Sequence, residues 1–536
     1  MIPPKYRYHV LARTVAEVDA RPANPEEVAV LLEVLGFFKK DNLEPTKFSE
    51  ISKKVQRLIP FYSGSQGYDS QTSVAEIRWK HLRTFASGMI FSALWSLMLL
   101  ALFLGGISLW TANPDKAGPI PAFLATSIAV GVVISFIVTG GVQQVFSFRM
   151  SFYRLQDNLS LARKEAIRGY WVGFLAIAIA ASAFVITNGV AVVSPLQFTL
   201  YTVLFLVLLG GYRILVTPLY AYRKFPLIAI GLSAALLLLY VAYYMLKAAG
   251  IPSPYDVIVA QVAALVILNV VTALECLKTV LQEKRNVFQT SENQSLYHKP
   301  ITLKNVQQPR FSVVFLEMLP LFLFGTMFYV LLFSDRLTSW IAATGPFLLI
   351  YNASYQFGAD IAMLVLIPLT GFVYYFLEGL AELLQSESSK TNISEKLNLK
   401  NQIYRYIAKM FAITGLAAGV CVLVIWQYAD SIVAMTNGEP ESVLVLRIGL
   451  VAYSLFAFFL ANTFISFSFR RYSAPALLLF LATVTELGTN MIGPHWFSGW
   501  DPVYGLLVSI VLVTIISSLN TVRFIRQMHY FYYSAF

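Results

Sequence analysis

The residues with chemistry to offer are ionisable side chains set inside apolar runs. Arg213 in GGYRILVTPLY, Glu317 in VVFLEMLPLF and Glu486 in LATVTELGTN each interrupt a stretch that is otherwise apolar. Asp360 opens ADIAMLVLIPL, and Glu378 follows eighteen residues on, with Pro368 between them. On a helix that spacing is roughly 27 Å, close to the thickness of a bilayer's hydrocarbon core, so Asp360 and Glu378 are expected at opposite faces of a membrane. Glu275 reads in the same way, as an acid at a helix end. A charge in hydrocarbon is costly unless it faces water or a partner. Arg213 and Glu317 fall at similar depth in opposite halves of the chain, and are expected to pair when the cytosolic side is closed, or else to snorkel and face a polar pocket separately. The chemistry on offer is pairing, gating and relay.

Bond-breaking chemistry has no motif to carry it. The sequence contains no GxxxxGK[ST] phosphate loop, no HExxH and no GxSxG elbow, so ATP hydrolysis, zinc proteolysis and serine hydrolysis have no seat. The five histidines lie in polar segments or at span ends, and Cys276 and Cys421 stand alone in apolar runs; neither a metal site nor a disulfide framework is expected. The cytosolic loops are too short for a nucleotide-sugar-binding domain. No cofactor and no catalytic residue is expected: the chain moves or guides something.

The elements that position these residues follow from composition. Hydrophobic residues make up 57% of the chain and charged residues 13%, with mean hydropathy +0.64, about half the charge of a soluble domain. This is an all-α polytopic membrane protein. Twelve apolar runs qualify as spans, near 86–110, 119–146, 170–192, 196–221, 225–247, 255–278, 311–334, 355–383, 407–428, 444–469, 472–493 and 502–525. Lys and Arg crowd the links after even-numbered spans, with little beyond Lys116, Lys247 and Arg336 in the opposite links. The positive-inside rule then places both termini in the cytoplasm. The net charge of +11 reports this topology, and no nucleic-acid partner is expected.

Four regions result: a cytosolic helical extension over 1–85, an N-terminal lobe over 86–278, a cytosolic linker over 279–310 and a C-terminal lobe over 311–536. The extension lacks an apolar core like that of a signal peptide. It offers two short amphipathic helices, in NPEEVAVLLEVLGFF and TKFSEISKKVQRLI. The links RMSFYRLQDNLSLARKEAIR and SESSKTNISEKLNLKNQIYR occupy the same place in each half, as parallel six-span repeats would require. No residue-level identity between the halves stands out. Gln143, Asn269 and Asn462 are expected to line the pathway between the lobes, with kinks or hinges at Gly140, Gly141, Pro218, Pro320 and Pro368.

The chain resembles a PelG-like exopolysaccharide transporter of the multidrug/oligosaccharidyl-lipid/polysaccharide (MOP) flippase superfamily. The likeness rests on Asp360, Ile367, Pro368 and Glu378 in span eight, on Thr139, Gly140 and Gln143 ending span two, and on Asp335 and Trp340 after span seven. Gly141 stands where the family has proline, and span one keeps Ser87, Gly88 and Trp95 without Gly-Pro-Trp. The resemblance implies two six-helix lobes around a central pathway in the bacterial cytoplasmic (inner) membrane, with polysaccharide as cargo. It also implies a cytosolic glycosyltransferase and companion membrane proteins as partners. Other readings are a flippase of lipid-linked oligosaccharide or drug-like cargo working by ion-coupled alternating access, a major-facilitator carrier, and a non-transporting scaffold for a synthase.

Overall fold

The computed structural model describes residues 81–89 and 121–526, apart from 156–158, 192–194, 253, 295–310, 344–348, 389–392, 436–438, 470 and 498. The two amphipathic helices expected before residue 60, and most of the first expected span, lie outside the described residues. The account that follows concerns the compact unit Arg83–Phe536.

Residues 83–89 are helical (α1). The first half continues with α2 (Ala122–Leu155), α3 (Leu159–Ala191), α4 (Leu196–Ala221), α5 (Phe225–Ala248) and α6 (Tyr255–Gln294). The second half contains α7 (Phe311–Ala342), α8 (Ala353–Met363), α9 (Leu366–Ser388), α10 (Ile393–Met435), α11 (Pro440–Ser468), α12 (Ser473–Trp496) and α13 (Pro502–Arg526). No strand occurs among the described residues. Among the described residues eleven crossings have membrane length and composition, counting α8 and α9 as one. Segments this apolar have no water to satisfy their amides, and a helix satisfies them internally.

The expected kink in span eight is a break. Pro368 has no N–H to give the carbonyl of Leu364, and its ring collides with that carbonyl; helix α8 accordingly ends at Met363 and α9 resumes at Leu366. Pro218 and Pro320 sit inside α4 and α7 without interrupting them. Two helices outrun their apolar windows at the Lys/Arg-rich end: α6 continues from Thr279 to Gln294, and α10 begins at Ile393, before its window opens at Asn401. The first part of the expected linker is therefore helix. The link between α2 and α3 is stapled by Glu165, whose Oε1 accepts from Arg149 at 2.9 Å and from Arg168 at 3.2 Å.

The halves share one packing plan. Helix α4 lies on α2 as α11 lies on α8 and α9; α4 meets α6 as α11 meets α13; α5 pairs with α6 as α12 pairs with α13. The structure also brings out an identity hidden in the sequence. Thr139-Gly140-Gly141-Val142 of α2 corresponds to Thr370-Gly371-Phe372-Val373 of α9. In each copy the threonine hydroxyl donates to the carbonyl four residues back, Thr139 to Ser135 at 2.6 Å and Thr370 to Leu366 at 2.8 Å.

These glycines are where the lobes touch. A Cβ on Gly140 would lie 2.5 Å from the Gly325 carbonyl oxygen of α7, and one on Gly325 would lie 2.6 Å from that of Gly140. A Cβ on Gly88 of α1 would lie 3.0 Å from the Cα of Gly371 in α9. Phe85-x-x-Gly88 and Phe322-x-x-Gly325 repeat one another, so the α2/α7 and α9/α1 crossings are equivalent under the repeat. Glycine allows backbones to approach this closely, as small residues do at helix interfaces in membranes.

Candidate transport pathway

Between the two crossings lies a cavity of about 130 Å³. Helix α2 gives it Gln143, Gln144 and Ser147, α4 gives Tyr220, α7 gives Phe324, Phe328 and Tyr329, α9 gives Thr370 and Tyr374, and α11 gives Leu460 and Phe464. The wall is aromatic and amide or hydroxyl in character and carries no charge of its own. Gln143 is among the residues that line it.

Arg213 lies behind this wall. It is 4% exposed, its guanidinium rests 4.0 Å from the Phe136 ring centroid and 4.3 Å from that of Tyr329, and its Nη2 donates to Gln143 Oε1 at 2.8 Å. In this structure the partner of Arg213 is therefore Gln143 and not Glu317. Glu317 is exposed near the start of α7. The reason is direction and height: Arg213 points inward to the α2/α7 crossing and meets Tyr329, whereas Glu317 lies twelve residues back along α7 on its exposed side.

The ion pair that does join the lobes involves Glu378. Its Oε1 accepts from Arg223 at 2.6 Å and from the Tyr374 hydroxyl at 3.2 Å, and Phe225 meets the Tyr374 ring edge-on at 6.1 Å. Arg223 holds a left-handed backbone, with φ 53°. Phe148 of α2 and Tyr472, just before α12, add a contact between the lobes at 5.3 Å. Beyond the cavity in the other direction, the Tyr351 N–H donates to Thr126 Oγ1 at 2.9 Å.

A second cluster fills the C-terminal lobe. Asp335, Arg336, Asp360 and Glu486 are all fully buried. Arg336 Nη2 donates to Asp360 Oδ1 at 3.0 Å, and its Nη1 donates to the Leu332 carbonyl at 2.7 Å and to the Tyr453 hydroxyl at 3.1 Å. Gln356 Nε2 donates to both oxygens of Asp360, and the Tyr355 hydroxyl donates to Asp335 Oδ2. Neither oxygen of Glu486 reaches a hydrogen-bonding partner in good geometry. Three carboxylates share one guanidinium, so the buried cluster is short of positive charge. No group of three acidic, histidine or cysteine side chains placed to hold a metal ion occurs among the described residues.

Several residues lie in settings other than those expected. Asp360, expected at a helix end facing the membrane surface, is fully buried within α8 and sealed against Arg336. Arg336, counted as a loop residue because the apolar run stops near Phe333, belongs to an α7 that continues to Ala342. Asn269 and Asn462 do not line the cavity either. Asn269 donates to the Leu208 carbonyl at 2.9 Å, tying α6 to α4, and Asn462 donates to Ser517 at 3.2 Å, tying α11 to α13. They clamp equivalent helix pairs within each lobe. Glu275 pairs with Lys278 one turn on.

No protein-family model and no curated protein matches the sequence. Solved structures do match its shape. A MOP superfamily transporter from Pyrococcus furiosus, described by the reverse polarity of its binding pocket as suggesting a different function, superimposes with TM-score 0.56 at 15% identity, over 84% of this chain and 96% of that one. A multidrug resistance MATE family transporter of the MOP superfamily, in an outward-facing conformation, gives 0.55 at 13% identity over 84% and 95%. One in an inward-facing conformation gives 0.51 at 16% identity over 83% and 94%. The chain has the two-lobed helical fold of MATE and MOP superfamily transporters.

Proposed function

We propose that this protein is a membrane transporter, not an enzyme, that exports an exopolysaccharide through the pathway between its lobes, as the transporter of a Pel-like secretion system in a bacterial inner membrane. The fold supports an exporter or flippase. The observation that carries the carbohydrate reading is the cavity wall: Tyr220, Tyr329, Tyr374 and three phenylalanines offer ring faces, while Gln143, Gln144, Ser147 and Thr370 offer hydrogen-bonding groups. Sugars need both kinds of surface, an apolar body against their C–H faces and polar groups for their hydroxyls. In this reading residues 1–85 dock a cytosolic glycosyltransferase that feeds the polymer in, beside companion membrane proteins.

The test is uptake into proteoliposomes. Purified protein should move fluorescent β-linked oligosaccharides, neutral or acidic, and leave ethidium untouched, and Tyr374→Ala should reduce sugar uptake about tenfold or more. Movement of ethidium without movement of sugar would replace this reading with drug efflux.

The Asp335–Arg336–Asp360–Glu486 cluster favours a second reading, in which the same pathway is driven by ion-coupled alternating access. Carboxylates sealed from water without enough countercharge are places to take up and release a proton or small cation. Glu486→Gln, which keeps the shape, should then abolish the dependence of transport on the ion gradient.

A further inference from the structure

The geometry points to an oxyanion subsite at Gln143, backed by Arg213, so that the cargo is a saccharide bearing an acidic group. This inference rests on the saccharide reading above and narrows it.

Arginine only donates hydrogen bonds, so the atom of Gln143 that meets Nη2 of Arg213 is its carbonyl oxygen. The orientation of the amide is thereby fixed. With its acceptor used, Gln143 has its N–H donors left for the cavity it lines. Behind it stands a full positive charge held by two aromatic faces and paired with no carboxylate among the described residues. The Arg213 Nε is buried without an acceptor. The Phe136 and Tyr329 rings, with centroids 5.2 Å apart, wall the guanidinium on adjacent sides, and burial weakens the screening of its field.

A buried cation normally acquires its countercharge from the protein, as Arg336 does from Asp360 and Arg149 from Glu165. Among the described residues Arg213 has none, and its hydrogen-bonded partner Gln143 lines an otherwise neutral cavity. The missing countercharge is supplied by what occupies that cavity. Carboxylate and phosphate are the oxyanions carried by saccharides, and charge-assisted bonds to either are about twice as strong as neutral ones. A cationic cargo would meet an uncompensated like charge.

The experiment measures binding to the full-length protein in nanodiscs, by quenching of its intrinsic fluorescence. The probes are an oligoglucuronate, a neutral oligoglucoside of equal length, glucose 1-phosphate and ethidium. Wild-type protein should prefer the oligoglucuronate over its neutral counterpart by about tenfold or more. Gln143→Glu gives Arg213 an internal countercharge in nearly unchanged shape and should bring that ratio close to one; Arg213→Met should do the same, and Arg213→Lys should keep part of it. Tight binding of glucose 1-phosphate alone among the anions would keep the subsite and assign it to phosphate on a lipid-linked sugar. Equal binding of charged and neutral oligomers by wild type would overturn the subsite and leave the saccharide reading standing. Binding of ethidium with no sugar bound would overturn both, and so would the failure of every probe to bind. A preference that survives Gln143→Glu would also remove the subsite.

Discussion

Arg223 and Glu378 join the two halves of the molecule through an ion pair of 2.6 Å, and the tyrosine that also bonds Glu378 lines the central cavity. One carboxylate therefore reads both the closure of the lobes and the contents of the space between them. The side chain of Arg223 is 64% exposed, so the pair is worth at most about 1 kcal/mol, a few-fold in the balance between open and closed forms. That is the scale of a latch suited to the cycle of the transporter proposed above.

A charge swap tests the latch. Arg223→Glu and Glu378→Arg made singly should each shift the population a few-fold toward opening at this end, read as spin-label distances between the Arg223 turn and α9. Made together they should restore it. A double variant no better than either single would show that the lobes close without this pair.

The glycine crossings predict a different kind of sensitivity. Gly140→Ala and Gly325→Ala would each drive a methyl group into a backbone carbonyl, a clash costing about 1–3 kcal/mol. Gly189 of α3 has nothing within 4 Å of its notional Cβ, and Gly189→Ala should be neutral or stabilise by up to about 1 kcal/mol. Thermal melts of the purified variants separate the two outcomes.

Inside the C-terminal lobe, Asp360→Ala removes the carboxylate nearest Arg336, leaving it Asp335 at 3.6 Å, and should cost at most about 3–5 kcal/mol. Replacing both partners, as Arg336→Met with Asp360→Leu, should not recover that loss, because Asp335 and Glu486 would then lie buried with no cation beside them. Chemical denaturation in detergent measures both.

Asp501, just before α13, gives a dependence on pH. Burial holds its carboxyl above the usual carboxylate value of 3.8, with Asp335 adding to the shift against a hydrogen bond from the Val503 N–H. A raised acid binds its proton more tightly when folded, so its folding penalty is absent below the unfolded value and grows as pH climbs through the folded one. Asp501→Asn should melt higher than wild type at neutral pH, and the gap should close as pH falls toward 4.

Much of this fold is legible in the sequence, since apolar length alone marks the crossings and Pro368 marks the break at its own i−4 carbonyl. What misleads is the assumption that a charge ends a span. Asp335 and Arg336 follow an apolar run and read as loop, yet they lie side by side inside a helix and face Asp360, Tyr355 and Tyr453 from other helices. Depth along the chain also fails to give direction. Arg213 and Glu317 fall at similar depth in the sequence, yet the Arg213 guanidinium rests on Tyr329, twelve residues or roughly 18 Å along α7 from Glu317, and Glu317 faces out of the bundle. The Thr-Gly-x-Val repeat is present in the sequence and passes unnoticed, because four residues carry too little information until the packing says which two segments to compare.

The twin crossings act mechanically as a pair of bearings, one on each side of the cavity. Backbone pressed on backbone leaves no side chain to bend, so sliding along either contact would lift the helices apart, while rolling about the line through both costs no separation. A body that rolls on such a line narrows one mouth of the channel by as much as it widens the other. In the transporter proposed above, the geometry that brings Gly140 to Gly325 and Gly88 to Gly371 would thus make the two entrances antagonistic, without any messenger passing between them.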